Sequence, residues 1–188
     1  DLPRINMSIA DGTFFQNSAL LKAINHAKNN KSALHLMGLV GGGGVHSDLS
    51  HLFALLRMCH EQHCETVYIH LFTDGRDSPP NASLTYITKL QEVIAKEQVG
   101  KIASVMGRYF AMDRDFRWER IAKAYFCLTK REGLRATDII SAVNQSYASG
   151  KTDEFIEPTV IIPEAAIKSN DAVIFYNFRI DRPRELTR

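Results

Sequence analysis

The sequence predicts an α/β protein with a mainly parallel sheet and helices on both faces. Three apolar segments of strand length, at residues 33–40, 66–72 and 101–106, alternate with segments in which apolar residues recur at helical spacing. Strands that are apolar throughout are typical of a sheet that is covered on both sides. Their alternation with helices is the pattern of parallel βαβ units.

The remaining elements follow in chain order. Residues 1–17 are predicted as a leading segment with a turn at residues 9–12. Helices are predicted at about residues 18–29, 49–62, 82–96, 116–130 and 137–149. An extended segment at 155–162 and a last strand at 172–176 complete the sheet. In the fourth of these helices, Trp118, Ile121 and Tyr125 belong to the predicted core stripe.

The first strand runs into a glycine loop, residues 41–44, which is followed by His46 and by Asp48 as a candidate helix cap. Such a loop before a helix N-terminus favours an anion. The dinucleotide pattern G-x-G-x-x-G fails at its third glycine, and no Gly-Lys-Ser/Thr of a P-loop is present. A plain flexible turn therefore stays an alternative, and His46 favours the functional interpretation.

Composition limits the class of protein. A length of 188 residues suits one domain with a buried core, and an apolar fraction of 45% is normal for a globular protein. The formal net charge of +2 argues against a general nucleic-acid surface. No apolar run reaches the roughly 18 residues of a membrane span. We therefore expect neither a nucleic acid nor a membrane as a partner.

The cysteines indicate the compartment. Cys59, Cys64 and Cys127 are an odd number without a secretory signal, which suggests a reducing, cytoplasmic setting. Residues 59–64, Cys-His-Glu-Gln-His-Cys, resemble a metal cluster. They lie at the far end of a helix, however, and no second Cys/His pair completes a zinc site. We predict no metal site in this chain.

Every long strand ends in a loop with ionisable side chains, and in a parallel sheet these loops lie along one edge. Together they carry His46, Arg76, Asp77, Arg108, Arg114, Arg179 and Arg182. Unpaired arginines at one place predict a small ligand with several anionic oxygens, because the guanidinium fork matches carboxylate and phosphate. Asp77 suits a hydroxyl, as acceptor or general base.

An alternative is that these arginines are surface residues, each neutralised by a nearby acid. The candidate partners are Asp74, Asp113, Asp115, Glu119 and Asp181.

Several of these stretches match one known family in order and spacing. They are Gly43-Gly44-Val45-His46-Ser47, Asp74-Gly75-Arg76-Asp77-Ser78-Pro79-Pro80, Gly107-Arg108-Tyr109 with Ala111-Met112-Asp113-Arg114-Asp115, Arg117-Trp118-Glu119-Arg120, and Asn177-Phe178-Arg179 with Asp181-Arg182. The chain resembles cofactor-independent phosphoglycerate mutase from Ile5 to its C-terminus.

The resemblance implies an isomerase that interconverts 3-phosphoglycerate and 2-phosphoglycerate in glycolysis. Family enzymes have a phosphatase-like domain, with a nucleophilic serine and two metal ions, usually manganese, and a transferase domain inserted into it. Residues 1–188 would be the transferase domain alone, because the motifs of the phosphatase-like domain are missing from this sequence. We expect the piece by itself to be inactive and to need no cofactor, and the parent protein to be a cytoplasmic monomer.

The resemblance also implies the roles of the site residues. His46, Arg76, Asp77, Arg108, Arg114, Arg179 and Arg182 match the substrate-binding positions of the family. Asp77 would contact the glycerate hydroxyls and relay a proton. A stand-alone module that binds small phosphorylated carboxylic acids is the alternative function.

Overall fold

The computed structural model describes all 188 residues. Six strands form one sheet: β1 (Leu34–Val40), β2 (Val67–Thr73), β3 (Lys101–Gly107), β4 (Leu134–Arg135), β5 (Thr159–Val160) and β6 (Ala172–Phe175). Their order is β4-β5-β3-β2-β1-β6. Four strands, β3, β2, β1 and β6, pair in parallel, and β5 is antiparallel to β3. The predicted mainly parallel sheet is confirmed.

Eight α-helices surround the sheet. They are α1 (Leu2–Asp11), α2 (Ser18–Asn29), α3 (Leu49–Glu61), α4 (Ser83–Glu97), α5 (Arg108–Ala111), α6 (Trp118–Thr129), α7 (Ile139–Ala148) and α8 (Pro183–Leu186). The predicted cap of α3 is present, because the side chain of Asp48 accepts a hydrogen bond from Ser50 N. The side chain of Asn17 caps α2 by accepting from the N–H groups of Ala19 and Leu20. No helix is both long and apolar enough to cross a membrane.

The strands of the sheet present alternate side chains to two cores. Leu34, Leu36 and Val40 of β1 pack in the larger core, with residues of α2, α3, α4 and α7. Met37 and Leu39 point the opposite way, into a smaller core with α5, α6 and α8. Both faces of the sheet are therefore covered by helices, which is why its strands are apolar throughout.

The prediction for residues 1–17 was incomplete, because Leu2–Asp11 is helical. Pro3 occupies the first turn, where its missing N–H costs nothing, and Gly12 ends the helix at φ 85° in the left-handed region. No residue of α1 is fully buried. The helix contacts α3 through the hydrogen bond between His51 Nε2 and Asn6 Oδ1, at 2.8 Å.

The predicted core stripe of α6 was wrong at two aromatic positions. Trp118 and Tyr125 are exposed, whereas Ile121, Ala124 and Leu128 are buried. The buried stripe consists of Ile121, Ala124, Cys127 and Leu128. Both stripes contain Ile121, and helical spacing alone does not decide which of its neighbours face the core.

Candidate functional site

The loops that follow β1 and β2 lie against each other. Val40 and Thr73 are register partners at the ends of the two strands, so both loops leave the same edge of the sheet. A Cβ atom on Gly43 would lie only 2.5 Å from the carbonyl oxygen of Asp77. Gly42 N donates a hydrogen bond to Ser78 Oγ at 2.9 Å. Gly43 is therefore required for this close approach of two backbones.

Asp74 is the buried centre of the second loop. Its Oδ1 accepts hydrogen bonds from the backbone N–H groups of Arg76, at 3.2 Å, and Asp77, at 3.1 Å. Its Oδ2 accepts from Ser78 Oγ at 2.9 Å. Arg108 Nη1 donates to the same Oδ1 at 2.6 Å. One carboxylate thus fixes the turn that presents Arg76 and Asp77 and also fixes the Arg108 guanidinium.

Arg108, Asp77 and His46 form one contact group. Arg108 Nη1 also donates to Asp77 Oδ2 at 2.6 Å, and its Nη2 lies 3.0 Å from His46 Nε2. Since a guanidinium only donates, Nε2 is the acceptor and the proton of the neutral ring is on Nδ1. Burial lowers the pKa of His46, and the positive charges of Arg108, Arg179 and Arg182 add to this effect, while Asp77 opposes it.

Asp77 is ionised in this arrangement. Burial raises the pKa of its carboxyl group, but the hydrogen bond and charge of Arg108, with smaller contributions from His46 and Arg76, hold that pKa below its ordinary value. The Asp77 side chain keeps 28% of its surface exposed, whereas those of His46 and Arg108 keep 4% and 3%. Asp77 is therefore the member of this group that a ligand can reach.

The exposed arginines were predicted to be unpaired, and this was wrong. Arg76 Nε lies 3.3 Å from Glu154 Oε1. Arg114 Nη1 and Arg179 Nε lie 2.7 and 2.9 Å from the two oxygens of Asp181. The alternative of acidic neighbours is correct for Asp74 and Asp181, and Glu154 is a partner that sequence spacing did not suggest. Asp113, by contrast, pairs with Arg120, outside the predicted set.

Arg182 shows that the arginines nevertheless converge. It forms no ion pair, and its Nη1 donates to the carbonyl oxygen of Met112 at 3.0 Å. Burial and the positive charges of Arg114, Arg108 and Arg76 lower its pKa. Arg179 N donates to the carbonyl oxygen of His46 at 3.3 Å, and Arg179 shares Asp181 with Arg114. Since Arg76 precedes Asp77 and Arg182 follows Asp181 in the sequence, and Arg108 bonds to both Asp77 and His46, all seven predicted residues belong to one connected region. Their roles toward a ligand stay a prediction.

Comparison with known proteins gives the family. Residues 5–188 match the family described as BPG-independent PGAM N-terminus, that is, the N-terminal part of 2,3-bisphosphoglycerate-independent phosphoglycerate mutase. The chain belongs to this family. It is 53% identical to the 2,3-bisphosphoglycerate-independent phosphoglycerate mutase of Clostridium novyi over 191 residues, covering all of this chain and 37% of that protein. It is 52% identical to the enzyme of that name from Chloroflexus aurantiacus over 193 residues, covering 36% of it.

A solved structure agrees with the sequence comparison. The crystal structure of Leishmania mexicana phosphoglycerate mutase at low cobalt concentration superposes with a TM-score of 0.93 at 26% identity, over all of this chain and 36% of that one. The predicted resemblance to the phosphoglycerate mutase family and the predicted α/β class are both confirmed. The chain spans a little over a third of the length of the relatives it matches.

The candidate site has a small excess of positive charge. Five guanidinium groups face four carboxylates, those of Asp74, Asp77, Glu154 and Asp181. Sequence reasoning did not assign Asp74 a function, although its position directly after a buried strand and before Arg76 was a usable signal. Glu154 offered no such signal, because it comes from a distant segment whose placement depends on the tertiary fold.

Two other features lie away from this site. Cys59 and Cys64 are buried, free thiols at the end of α3. A mostly apolar groove of about 970 Å³ lies beside β6 and is lined by residues of α1, α2 and α3. Its lining lacks all seven predicted side chains, so its size alone does not make it the better candidate site.

Proposed function

We propose that these residues form the substrate-binding transferase domain of a cytoplasmic, monomeric phosphoglycerate mutase, which interconverts 3-phosphoglycerate and 2-phosphoglycerate in glycolysis and gluconeogenesis. The observation that carries the proposal is the network of contacts that joins five arginines, Asp77 and His46 at the loops of one sheet edge. Family membership and the names of the relatives support it.

The exposed arginines would bind the carboxylate and phosphate oxygens of the ligand. Arg114 and Arg179 share Asp181, and both side chains are 45% exposed. Exposed ion pairs contribute only about 0–1 kcal/mol, so exchanging Asp181 for an anionic ligand costs little. A ligand with two anionic groups would engage several guanidinium forks at once, which a single carboxylate cannot do.

Asp77 would accept hydrogen bonds from the glycerate hydroxyls and relay a proton between them. In the free site its low pKa makes it a weak base, because Arg108 stabilises the charged form. An incoming phosphate or carboxylate brings negative charge close to Asp77. It also binds arginines whose positive charge otherwise stabilises the Asp77 carboxylate. Both effects raise the affinity of Asp77 for a proton, which brings it nearer to the range useful in acid–base catalysis.

His46 and Arg108 would hold this geometry. Arg108 Nη1 bridges Asp74 and Asp77, and its Nη2 bonds to His46, so the Asp77 carboxylate has one supported orientation. We expect His46 to contact the ligand or the phosphate in transit only if its ring turns out of this buried position, and otherwise to act through Arg108.

The residues of this site do not fit a divalent metal ion, since their carboxylates are bonded to arginines whose positive charges would repel it. In the proposed enzyme a phosphatase-like domain, outside these residues, carries the serine nucleophile and two Mn²⁺ ions that supply the phosphoryl-transfer chemistry.

The proposal is tested by comparing residues 1–188 alone with the intact protein. We expect the isolated chain to bind 3-phosphoglycerate weakly in calorimetry and to show no mutase turnover, while the intact protein turns over. Arg114→Ala should weaken binding in both, and Arg57→Ala should not, because Arg57 is an exposed arginine that pairs with Glu61 within α3. Turnover by the isolated chain would refute the proposal that the phosphoryl-transfer chemistry needs a second domain. Binding of 3-phosphoglycerate without any turnover by the intact protein would favour the stand-alone binding module.

A further inference from the structure

Two buried carboxyl groups hold the loop that carries Arg114. Asp113 Oδ2 accepts hydrogen bonds from the backbone N–H groups of Asp115, at 2.9 Å, and Arg117, at 3.0 Å. Glu185 Oε1, from α8, accepts from the N–H group between them, that of Phe116, at 3.1 Å. Three consecutive amides are thus bound by two acids from different parts of the chain, which brings the two carboxyl groups side by side.

Both groups are buried, since Asp113 and Glu185 are 5% and 6% exposed. Asp113 has a cationic neighbour, because Arg120 Nη1 lies 3.6 Å from its Oδ1, whereas Glu185 forms no ion pair. Glu185 Oε2 is buried with no donor to bond it when both acids are ionised. A proton on this oxygen, donated to Asp113, satisfies the unpaired atom and removes the repulsion.

We propose that Asp113 and Glu185 share one proton, and that this pair is a lock that positions Arg114 against Arg179 and Arg182. This positioning role depends on the proposed function, whereas the shared proton does not.

The lock joins the two segments that supply these three arginines. Glu185 follows Arg182 by three residues, and Asp113 directly precedes Arg114. The same segments are joined by the hydrogen bond from Arg182 to the Met112 carbonyl and by the ion pair of Arg114 with Asp181. Loss of the proton would place two negative charges side by side, and their repulsion would pull Glu185 away from the loop and from the Phe116 amide. The segments would then separate at the position of Arg114.

The surrounding charges determine which acid carries the proton. Burial raises the pKa of Glu185, and the negative charges of Asp113 and Asp115 add to it, against the Phe116 hydrogen bond. Burial also raises the pKa of Asp113, but the amides of Arg117 and Asp115, the bond to Glu185 and the charge of Arg120 outweigh it and lower that pKa. Glu185 therefore holds the proton. The lock is intact at low pH and is lost as pH rises through the elevated pKa of Glu185.

The proton is tested without substrate, by infrared difference spectra of the intact protein. The spectrum of the wild type minus that of Glu185→Gln should show the carbonyl absorption of a protonated carboxylic acid. That band should persist above the pH at which an ordinary glutamate ionises. Glu119→Gln, an exposed acid in the first turn of α6, is the matched control and should leave the band in place. Absence of the band in wild type would overturn the proposal.

The lock is tested by the pH dependence of KM in the intact protein. In wild type, KM for 3-phosphoglycerate should rise on the alkaline side with kcat little changed. Glu185→Gln keeps the acceptor for Phe116 N and donates an N–H to Asp113. Its KM should therefore stay low and should not rise on the alkaline side. Glu185→Ala should raise KM about 10-fold at every pH, the scale on which outer-shell positioning contacts act. Equal KM values in all three proteins would overturn the positioning role.

These readouts also separate this inference from the proposed function. If the intact wild-type protein shows no mutase activity, the proposed function fails, and the affinity for inorganic phosphate, measured by calorimetry, replaces KM in the same comparison. Weaker phosphate binding by Glu185→Ala, rescued in Glu185→Gln, would support the lock. Unchanged phosphate affinity in both variants would overturn it.

Discussion

The candidate site has two layers that differ in burial. In the inner layer, Arg108 is 3% exposed and is bonded to Asp74 and Asp77 at 2.6 Å each. In the outer layer, Arg114 and Arg179 are 45% exposed and share a single carboxylate, that of Asp181. The same two residue types, arginine and aspartate, thus meet in surroundings of very different polarity.

This difference in burial separates contacts that are permanent from contacts that can be exchanged. A buried ion pair is costly to separate, because the remaining charge is left without water or partner. An exposed pair is held weakly and is screened by salt. We infer that the inner layer is a fixed frame that exists before any ligand binds, and that the outer layer consists of arginines that release their carboxylate when a stronger anion arrives.

The largest effect should follow from breaking the inner layer. Arg108→Ala leaves the 2%-exposed Asp74 carboxylate without its cation, and removing one partner of a buried pair typically costs about 3–5 kcal/mol. We expect the free energy of unfolding in denaturant titrations to fall by that amount. The exposed Arg57→Ala, which also loses one carboxylate partner, should change it by less than about 1 kcal/mol.

A loss of less than about 1 kcal/mol in Arg108→Ala would contradict the division into two layers. It would show that water reaches Asp74 in solution, so that the inner layer is no more fixed than the outer one.

A smaller effect, on binding and not on stability, should follow from removing an outer arginine. Arg114→Ala deletes one exposed guanidinium that we expect to bind the ligand, so affinity for 3-phosphoglycerate should fall about 10-fold, which corresponds to about 1.4 kcal/mol. Stability should be unchanged within about 0.5 kcal/mol, as for most surface substitutions. Binding is measured by calorimetry and stability by denaturant titration, with Arg57→Ala as the control for both.

Equal losses of stability and affinity in Arg114→Ala would count against this interpretation, because they would make Arg114 part of the frame rather than an exchangeable contact.

The sequence was sufficient for the parts of the site that depend on sheet geometry. Parallel strands such as β1 and β2 bring their C-terminal loops together, and this alone placed His46 and Asp77 in one region. The strands could be located because continuous apolar runs are unambiguous when both faces of a sheet are covered.

The sequence could not predict in the same way which arginine pairs with which carboxylate. Whether Arg108 contacts Asp74 or a ligand depends on differences of an ångström and on burial, and neither is encoded in spacing along the chain. Glu154 reaches Arg76 from a segment almost eighty residues away in the sequence. The buried face of α6 was also partly missed: Ala124 is buried and Trp118 is exposed, although both lie three residues from the buried Ile121. Which of the two faces the core is decided by tertiary packing and not by spacing.

The smallest effect, and the sharpest test of exchange, should come from Asp181→Asn. Burial raises the pKa of Asp181, but Arg114 and Arg179 outweigh it and keep that pKa below its ordinary value, so the group is a carboxylate that competes with any bound anion. Its bond to Arg179 Nη2 is long, at 3.2 Å. Removing this charge should strengthen 3-phosphoglycerate binding by a few-fold, within the roughly 1 kcal/mol of an exposed pair, and added salt should reduce the gain.

Glu61→Gln, which frees Arg57 in the same way, should have no effect. Weaker binding in Asp181→Asn would mean that Asp181 orients Arg114 and Arg179 for the ligand, in which case the outer layer is also a preformed frame.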